Sequence, residues 1–343
     1  MNRRDWITGT AHLLVIDPIA AARATALQPS DASGVVQTVT GPVRSARLGL
    51  TLMHEHVLVD FIGADQVSPQ RYDADHAFTS VLPHLLQAKK NGVETLVECT
   101  PAYLGRDVTL LKRLSEASGL HILSNTGFYG AAKDKHLPRA AFAESAEQLA
   151  ARWTREFERG IDGTSIKPAF MKIGVDEAPL SDVDRKLVLA AAMTSKATGL
   201  PIASHTGTGL AAMAELEVLE GAGVPASRFI WVHAQSERDS AFHTGAAKAG
   251  AWVEFDGISE SSIDRHVELV TRMKAQGLLG HALVSHDAGW YRVGEPGGGQ
   301  FRPFDTLFTR FIPALTAAGA TSTDVSRLLV DNPRLALTGS SSR

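Results

Sequence analysis

Residues 169–205 of this 343-residue chain read AFMKIGVDEAPLSDVDRKLVLAAAMTSKATGLPIASH and carry the clearest signal of the fold. Two short apolar runs, residues 169–175 and 200–205, flank a longer amphipathic segment that ends just before Gly199. Glycine is the residue expected immediately after a helix C-terminus. The stretch therefore predicts a strand, a helix and a second strand parallel to the first.

The same alternation continues towards both ends of the chain. Six further apolar runs have the length of strands: residues 49–56, 93–99, 120–125, 228–233, 251–256 and 281–287. Eight strand–helix units predict a fold of the α/β class, a single (β/α)8 TIM barrel. The alternative, an open doubly wound sheet, is expected to carry a glycine-rich phosphate loop near its start, and the sequence has none there.

Composition excludes several classes of function. The chain has 34 Lys and Arg against 37 Asp and Glu, a formal charge of -3 without a basic block, which argues against a nucleic-acid partner. Its single cysteine, Cys99, excludes an intrachain disulfide and a cysteine-based zinc site. The 13 histidines are numerous, and histidine is the commonest nitrogen ligand for metals such as zinc.

The chain divides into four predicted parts. Residues 1–26, with Arg3 and Arg4 before a short apolar stretch and an A-x-A sequence, predict a twin-arginine signal peptide and periplasmic location; without export the protein is expected in the cytoplasm. Residues 27–46 predict a linker and entry hairpin, residues 47–338 the barrel, and residues 339–343 a disordered tail. No run approaches the ~20 apolar residues that span a bilayer, so we expect no membrane insertion.

Polar side chains with metal-binding chemistry lie at the ends of the predicted strands. They are His54 and His56 in the first strand, His205 in the fifth, His233 in the sixth and Asp287 in the eighth. All C-terminal strand ends of a parallel barrel meet at one face. A single histidine at such a place is usually a structural residue, but the joint placement predicts a metal site.

Lys172 lies inside the apolar run 169–175, where an unpaired ammonium would be costly to bury. One interpretation is an ion pair with a buried carboxylate such as Glu98 or Asp287. The other is a carbamate, formed when the Lys172 nitrogen takes up carbon dioxide, which supplies anionic oxygens able to bridge two metal ions.

Several motifs appear in a specific order and spacing: LTLMHEHVLVD (50–60), SHTGTG (204–209), WVHAQ (231–235) and VSHDAGW (284–290). With them, the chain from about residue 35 to 338 resembles the phosphotriesterase family of the amidohydrolase superfamily, which includes lactonases and phosphotriesterase homology proteins. The resemblance implies a hydrolase with two divalent metal ions, by default zinc, with manganese, cobalt or iron as alternatives.

The resemblance also implies a role for each candidate residue. His54, His56 and Asp287 would hold the more buried metal, and His205 and His233 the more exposed one. Carboxylated Lys172 and a hydroxide would bridge the two ions. Asp287 would in addition orient the hydroxide and accept its proton.

The substrate is predicted from the loops that follow the strands. By the resemblance, Tyr129 matches a tyrosine of the family's lactonases, which favours lactones or related carboxylic esters, with promiscuous phosphotriester hydrolysis. Two departures from the family pattern weaken an acyl-homoserine lactonase assignment: Gly257 replaces an expected arginine, and Ser236 replaces an expected carboxylate. Glu237 and Asp239 are the candidate replacements for that carboxylate. A dedicated organophosphate triesterase and a non-catalytic binding protein are the alternatives.

The loop after the eighth strand supplies further candidates for substrate contact: Trp290, Tyr291, Arg292 and Arg302. Arginine binds carboxylate or phosphate groups, and the three glycines at 297–299 would let a lid close. Alternatively, these aromatics pack on neighbouring helices or on a second subunit. We expect a small-molecule substrate and a homodimer.

Overall fold

The computed structural model of the chain describes residues 34–339. The predicted signal peptide at 1–26, residues 27–33 of the predicted linker and residues 340–343 of the predicted tail lie outside these described residues. Twelve strands occur within them: β1 (Val35–Thr38), β2 (Gly41–Arg44), β3 (Thr51–Val59), β4 (Thr95–Glu98), β5 (His121–Leu123), β6 (Asn125–Thr126), β7 (Phe170–Gly174), β8 (Ile202–His205), β9 (Phe229–Val232), β10 (Trp252–Phe255), β11 (Ala282–Val284) and β12 (Ala288–Arg292).

The strands from β3 to β12 form a parallel barrel in chain order. One set of hydrogen-bonded neighbours runs from β6 to β11, and the other runs β12, β3, β4 and β5. The two sets are joined because β5 and β6 are one strand interrupted at Ser124, and β11 and β12 are one strand interrupted at residues 285–287. The backbone N–H of Asp287 donates to the His54 carbonyl at 3.0 Å across the second interruption. The predicted (β/α)8 barrel is confirmed.

Helices connect the strands and cover the outside of the barrel. The α-helices are Ala74–Lys90, Val108–Ser118, Arg139–Ala143, Ala146–Arg159, Asp182–Thr198, Gly209–Gly221, Ser240–Ala249, Ile263–Ala275, Ile312–Ala317, Ser322–Ser326 and Asn332–Thr338. Two π-helical turns, Leu307–Phe311 and Arg327–Asp331, lead into the last helices. The helix at 182–198 begins at Ser181, whose side chain accepts from the Asp184 N–H, and ends at Gly199 with a φ of 78°. The quoted stretch therefore folds as predicted.

The core has two layers because side chains alternate along each strand. Met53, Val97, Phe170 and Ile230 belong to a cluster inside the barrel, whereas Leu52, Leu96, Met171 and Trp231 belong to the larger cluster between the barrel and its helices. The antiparallel β1–β2 hairpin contributes Val36 to the inner cluster. It covers the end of the barrel opposite the C-terminal strand ends. Among the helices of residues 34–339, none has the length and apolar character needed to span a membrane.

Candidate metal centre

A small cavity of about 80 Å³ lies at the C-terminal ends of the barrel strands. Its lining includes all six predicted metal ligands, together with two of the predicted substrate residues: His54, His56, Lys172, His205, His233, Asp287, Tyr129 and Trp290. Phe61, Cys99, Pro101 and Leu104 supply apolar walls. The structure thus brings residues that are up to 233 positions apart in the sequence to one place.

The position of His54 and His56 depends on an irregularity in β3. Its register against β4 shifts between Leu52 and Glu55, as in a β-bulge. Met53 therefore faces the inner core, and His54 and His56 both reach the cavity, while Glu55 turns to the outside of the barrel. The bulge allows three of the four residues 53–56 to face inward, where a regular strand would allow two.

Each of the four histidines has its Nδ1 atom next to a specific neighbour. His56 Nδ1 lies 2.8 Å from Thr100 Oγ1, and His205 Nδ1 lies 3.1 Å from the Tyr129 hydroxyl. His233 Nδ1 and His54 Nδ1 face the same carboxylate, that of Asp256. Engagement of Nδ1 fixes the ring and leaves Nε2 as the atom that can bind a metal.

The first candidate metal set consists of His54, His56 and Asp287, whose ligand atoms all lie within 4.8 Å of one another. Asp287 Oδ1 is 3.1 Å from His56 Nε2 and 3.8 Å from His54 Nε2. The Asp287 backbone has a φ of 50°, in the left-handed region, because the strand is interrupted there. Strained backbone of this kind is typical of functional sites.

Two residues of this set, His56 and Asp287, have the protonation states that a metal ion requires of its ligands. Burial lowers the pKa of His56 to about 4, so His56 is neutral at pH 7, the form that binds metals. Burial opposes ionisation of Asp287, but its hydrogen bond with His56 and the charge of His54 hold its pKa well below the usual range. Asp287 is therefore a carboxylate at neutral pH.

The second candidate pair, His205 and His233, lies on the adjacent strands. Their ring centroids are 4.3 Å apart, and the His233 ring centroid is 5.1 Å from that of His54. His233 has a φ of 65° immediately after β9, which is again left-handed. Burial and the neighbouring His233 lower the pKa of His205 well below its usual value, so His205 is also neutral.

Lys172 projects from β7 into the cavity and is 2% exposed. Within residues 34–339 its ammonium forms no ion pair; its Nζ lies 5.8 Å from the centre of the Tyr129 ring. Glu98 instead accepts from the backbone N–H groups of Val57 and Thr100. The ion pairs considered for Lys172, with Glu98 or Asp287, are therefore absent from the described part of the chain.

Asp256 is a site residue whose role the sequence reasoning did not anticipate. It is fully buried at the end of β10, with Oδ1 2.6 Å from His233 Nδ1 and Oδ2 3.2 Å from His54 Nδ1. Its Oδ2 also accepts from the His233 backbone N–H. Burial and Lys172 act to lower the pKa of His54, but Asp256 and Glu254 raise it to about 10. The sequence signal that could have identified Asp256 is its position at a strand end, which it shares with the histidines.

Three predicted substrate residues do not line the cavity. The Tyr291 hydroxyl lies 2.8 Å from His76 Nδ1, on the side of β12 away from the cavity. Arg292 stacks over the Trp290 ring at 5.4 Å. Arg302 donates from Nη1 to the Asp287 carbonyl at 2.9 Å, so its contact is with the backbone of a candidate metal ligand.

The carboxylates considered as replacements at Ser236 are committed elsewhere. Glu237 accepts from the backbone N–H groups of Gly209 and Asp239, both at 2.7 Å. Asp239 caps the helix that begins at Ser240. Neither lines the cavity with Asp287.

Comparisons with known proteins agree with this geometry. A sequence model of the phosphotriesterase family matches residues 34–337. The phosphotriesterase homology protein of Escherichia coli (strain K12) is 29% identical over 289 residues, which cover 83% of this chain and 96% of that protein. The N-acetyltaurine hydrolase of Homo sapiens is 28% identical over 353 residues, covering 90% of this chain and 99% of that protein.

A solved structure has the same fold. It comes from work described as molecular engineering of organophosphate hydrolysis activity from a weak promiscuous lactonase template. It superposes with a TM-score of 0.78 at 28% identity and covers 88% of this chain and 99% of that one. The chain is therefore a hydrolase that belongs to the phosphotriesterase family, whose enzymes use a binuclear centre of divalent metal ions.

Proposed function

We propose that this protein hydrolyses lactones or related carboxylic esters and that phosphotriester hydrolysis is a slower side activity. The observation that carries the proposal is the position of the Tyr129 hydroxyl, 3.1 Å from His205 Nδ1 at the edge of a cavity of only about 80 Å³. A planar ester group carries two substituents and fits such a space more easily than a tetrahedral phosphotriester with three. The lactonase origin of the similar solved structure supports the same choice.

The residues of the cavity fit two divalent ions. Nε2 of the buried His54 has no hydrogen-bond partner within the described residues, and such an orphaned atom needs one. We assign His54, His56 and Asp287 to one ion, and His205 and His233 to the other. Nitrogen and carboxylate ligands favour zinc, although manganese, cobalt and iron are also compatible.

We assign the bridging position to a carboxylated Lys172. In that reaction the Lys172 ammonium first loses a proton; the neutral nitrogen then forms a bond to the carbon of carbon dioxide and releases a second proton, which leaves an anionic carbamate. The carbamate exchanges a buried cation that has no ion pair in residues 34–339 for an anion facing four histidines. The carbamate therefore avoids the free-energy cost of an unpaired, buried ammonium at Lys172.

Bound metal ions would lower the pKa of a water molecule and polarise the substrate carbonyl. The chain's own residues accept the proton, bind the substrate and exclude water. Asp287, ionised at neutral pH, is the base that accepts a proton from the attacking water. The Tyr129 hydroxyl donates a hydrogen bond to an ester oxygen, and its pKa, which burial raises, keeps it protonated. Phe61 and Trp290, whose ring centroids are 5.5 Å apart, exclude bulk water at the mouth.

The proposal is tested by comparing kcat/KM on a panel of five- and six-membered lactones with kcat/KM on paraoxon. We expect the best lactone to exceed paraoxon by about tenfold or more. Tenfold preference for paraoxon would establish the alternative, a dedicated organophosphate triesterase. No turnover of either class by protein that retains its metal would favour the non-catalytic binding protein.

We further propose periplasmic export through residues 1–26 and a homodimer. Replacement of Arg3 and Arg4 by lysine should leave the protein in the cytoplasm, as measured by cell fractionation in a bacterium with the twin-arginine system. Light scattering on the purified protein should give twice the mass of the single chain, which is 36.6 kDa with residues 1–26 included. Unchanged export or a single-chain mass would contradict the respective proposal.

A further inference from the structure

A second cavity of about 820 Å³ lies next to the metal cavity and is separated from it by one layer of chain. The two cavities share no lining residue. Consecutive residues face opposite sides of the wall: Leu58 lines the second cavity and Val59 the metal cavity, and Phe128 and Tyr129 divide in the same way. We call the second cavity the side groove.

The side groove has the size and the apolar surface of a ligand-binding site. Leu58, Val108, Phe128 and Trp153 are buried side chains in its lining, and the rings of Phe128 and Trp153 pack edge to face with centroids 5.5 Å apart. Pockets for small molecules typically measure roughly 300–1,000 Å³ and combine apolar walls with a few polar groups. The groove can therefore enclose the apolar body of an organic molecule.

Every carboxylate in the lining is already used as a hydrogen-bond acceptor. Both oxygens of Asp60 accept from Arg71, and Asp107 accepts from the N–H groups of Thr109 and Leu110 and from the Tyr72 hydroxyl. Both oxygens of Glu156 and both of Asp162 accept from the Arg106 guanidinium. Each carboxylate oxygen of these four side chains therefore already has at least one donor bound to it.

The hydrogen-bond donors of the groove differ from these carboxylates, because two of them have no partner within the described residues. Arg155 and Arg159, four positions apart on the helix at 146–159, form no ion pair within residues 34–339. Two buried donors, Arg106 Nε and Trp153 Nε1, have no hydrogen-bond partner in that part of the chain. The side chain of Arg106 is 2% exposed, and Trp153 is 1% exposed. Buried donors without partners are rare in proteins and call for an acceptor.

We propose that the side groove binds an organic carboxylate with an apolar body, such as a medium-chain fatty acid. The buried orphaned groups of the lining are both donors and the two arginines without an ion pair are cations, which together favour an acceptor-bearing anion. Arginine is the residue best suited to a carboxylate because its guanidinium can donate two parallel hydrogen bonds. The chain of the ligand would lie against Phe128 and Trp153. This inference is independent of the reaction at the metal cavity.

The experiment uses the full-length, metal-loaded protein labelled with 15N at the tryptophan indole nitrogens. Trp153 lines the side groove and Trp290 lines the metal cavity, so their two indole N–H signals report the two cavities separately. The Trp153→Phe and Trp290→Phe variants assign the signals. The probe is decanoate, and decanol serves as the uncharged probe of the same chain length.

We expect decanoate to shift the Trp153 signal saturably, with the Trp290 signal unchanged. Decanol should bind about tenfold more weakly or worse. The Arg155→Gln/Arg159→Gln double variant should weaken decanoate binding by at least about tenfold, whereas the control Arg139→Gln, an arginine that is 94% exposed and outside the groove, should not.

Three results would overturn the inference. The first is the absence of a saturable shift of the Trp153 signal. The second is a response confined to Trp290, which would place decanoate in the metal cavity. The third is equal affinity for decanoate and decanol, or equal affinity in the double variant and the control, which would show that the arginines do not recognise the carboxylate.

Discussion

Glu55 accepts a hydrogen bond from His286 Nδ1 at 2.6 Å, on the side of β3 that faces away from the metal cavity. The same carboxylate accepts from the Ser285 hydroxyl and from the backbone N–H groups of His286 and Ala288. These residues surround Asp287, and Glu55 lies between His54 and His56. Glu55 thus connects, through hydrogen bonds, the two segments that supply the first candidate metal set.

Replacing Glu55 with glutamine should weaken both the fold and the metal set. One acceptor oxygen becomes an NH2 group that faces existing donors, so we expect a loss of about 2–4 kcal/mol in the free energy of unfolding. Metal affinity, measured by competition with a chelator, should fall by about 10- to 100-fold. Glu158→Gln, on an exposed helix position, is the control. Wild-type stability and metal affinity in Glu55→Gln would refute this positioning role.

Lys172→Ala should lose bound metal and reduce kcat/KM by more than about 100-fold, because the proposed bridging ligand is removed. A short-chain carboxylic acid added to the variant should restore part of the activity by supplying the missing oxygens. Lys167→Ala is a matched control, since Lys167 lies near the start of the same strand with its Nζ over the Phe157 ring. Full activity and full metal content in Lys172→Ala would eliminate the carbamate.

Asp287→Asn should lower kcat by about 100-fold or more and change KM little. Asparagine can still occupy the position, but it cannot accept the proton from water. The measurement is steady-state kinetics on the best lactone at matched metal content, with Asp264→Asn on the exposed surface as control. A kcat equal to that of the wild type would remove Asp287 from the proposed mechanism.

Glu215 gives a prediction about pH and stability. It is fully buried, accepts from the hydroxyls of Ser204 and Thr206 on either side of His205, and burial raises its pKa from 4.5 to about 8. Between these values the native state holds a proton that the unfolded chain has released. Its contribution to stability is therefore complete below pH 4.5 and is lost as the pH rises to 8.

Glu215→Gln should remove this pH dependence. Relative to the variant, the wild type should lose on the order of 4 kcal/mol of unfolding free energy between pH 5 and pH 9. Urea unfolding of both proteins at the two pH values measures the difference, in which the pH dependence of shared metal binding cancels. Parallel stability profiles would show that Glu215 titrates normally.

Short-range patterns in the sequence were sufficient to predict the barrel fold. They also predicted that the candidate metal ligands meet at one end of the barrel. The eight apolar runs lie at the eight barrel strands, and the placement of His205 and His233 at strand ends follows from the register of each strand alone. In a parallel barrel that information is sufficient, because the topology fixes where all strand ends meet. The family resemblance was confirmed by the match over residues 34–337.

The remaining features depend on contacts between distant segments, which periodicity does not encode. The bulge in β3 that lets Met53, His54 and His56 all face inward is visible only in its pairing with β4. Glu55 finds its partners about 230 positions away in sequence. Tyr291 turns to His76 because it alternates with Trp290 along β12, a strand that the sequence reasoning treated as a loop.

The most direct test is the metal content per chain, measured by mass spectrometry on protein expressed with bicarbonate and purified without chelators. We predict two divalent ions per chain in the wild type, and fewer than one in Lys172→Ala prepared in the same way. One ion or none in well-folded wild-type protein, or two ions in Lys172→Ala, would contradict the binuclear, carbamate-bridged centre.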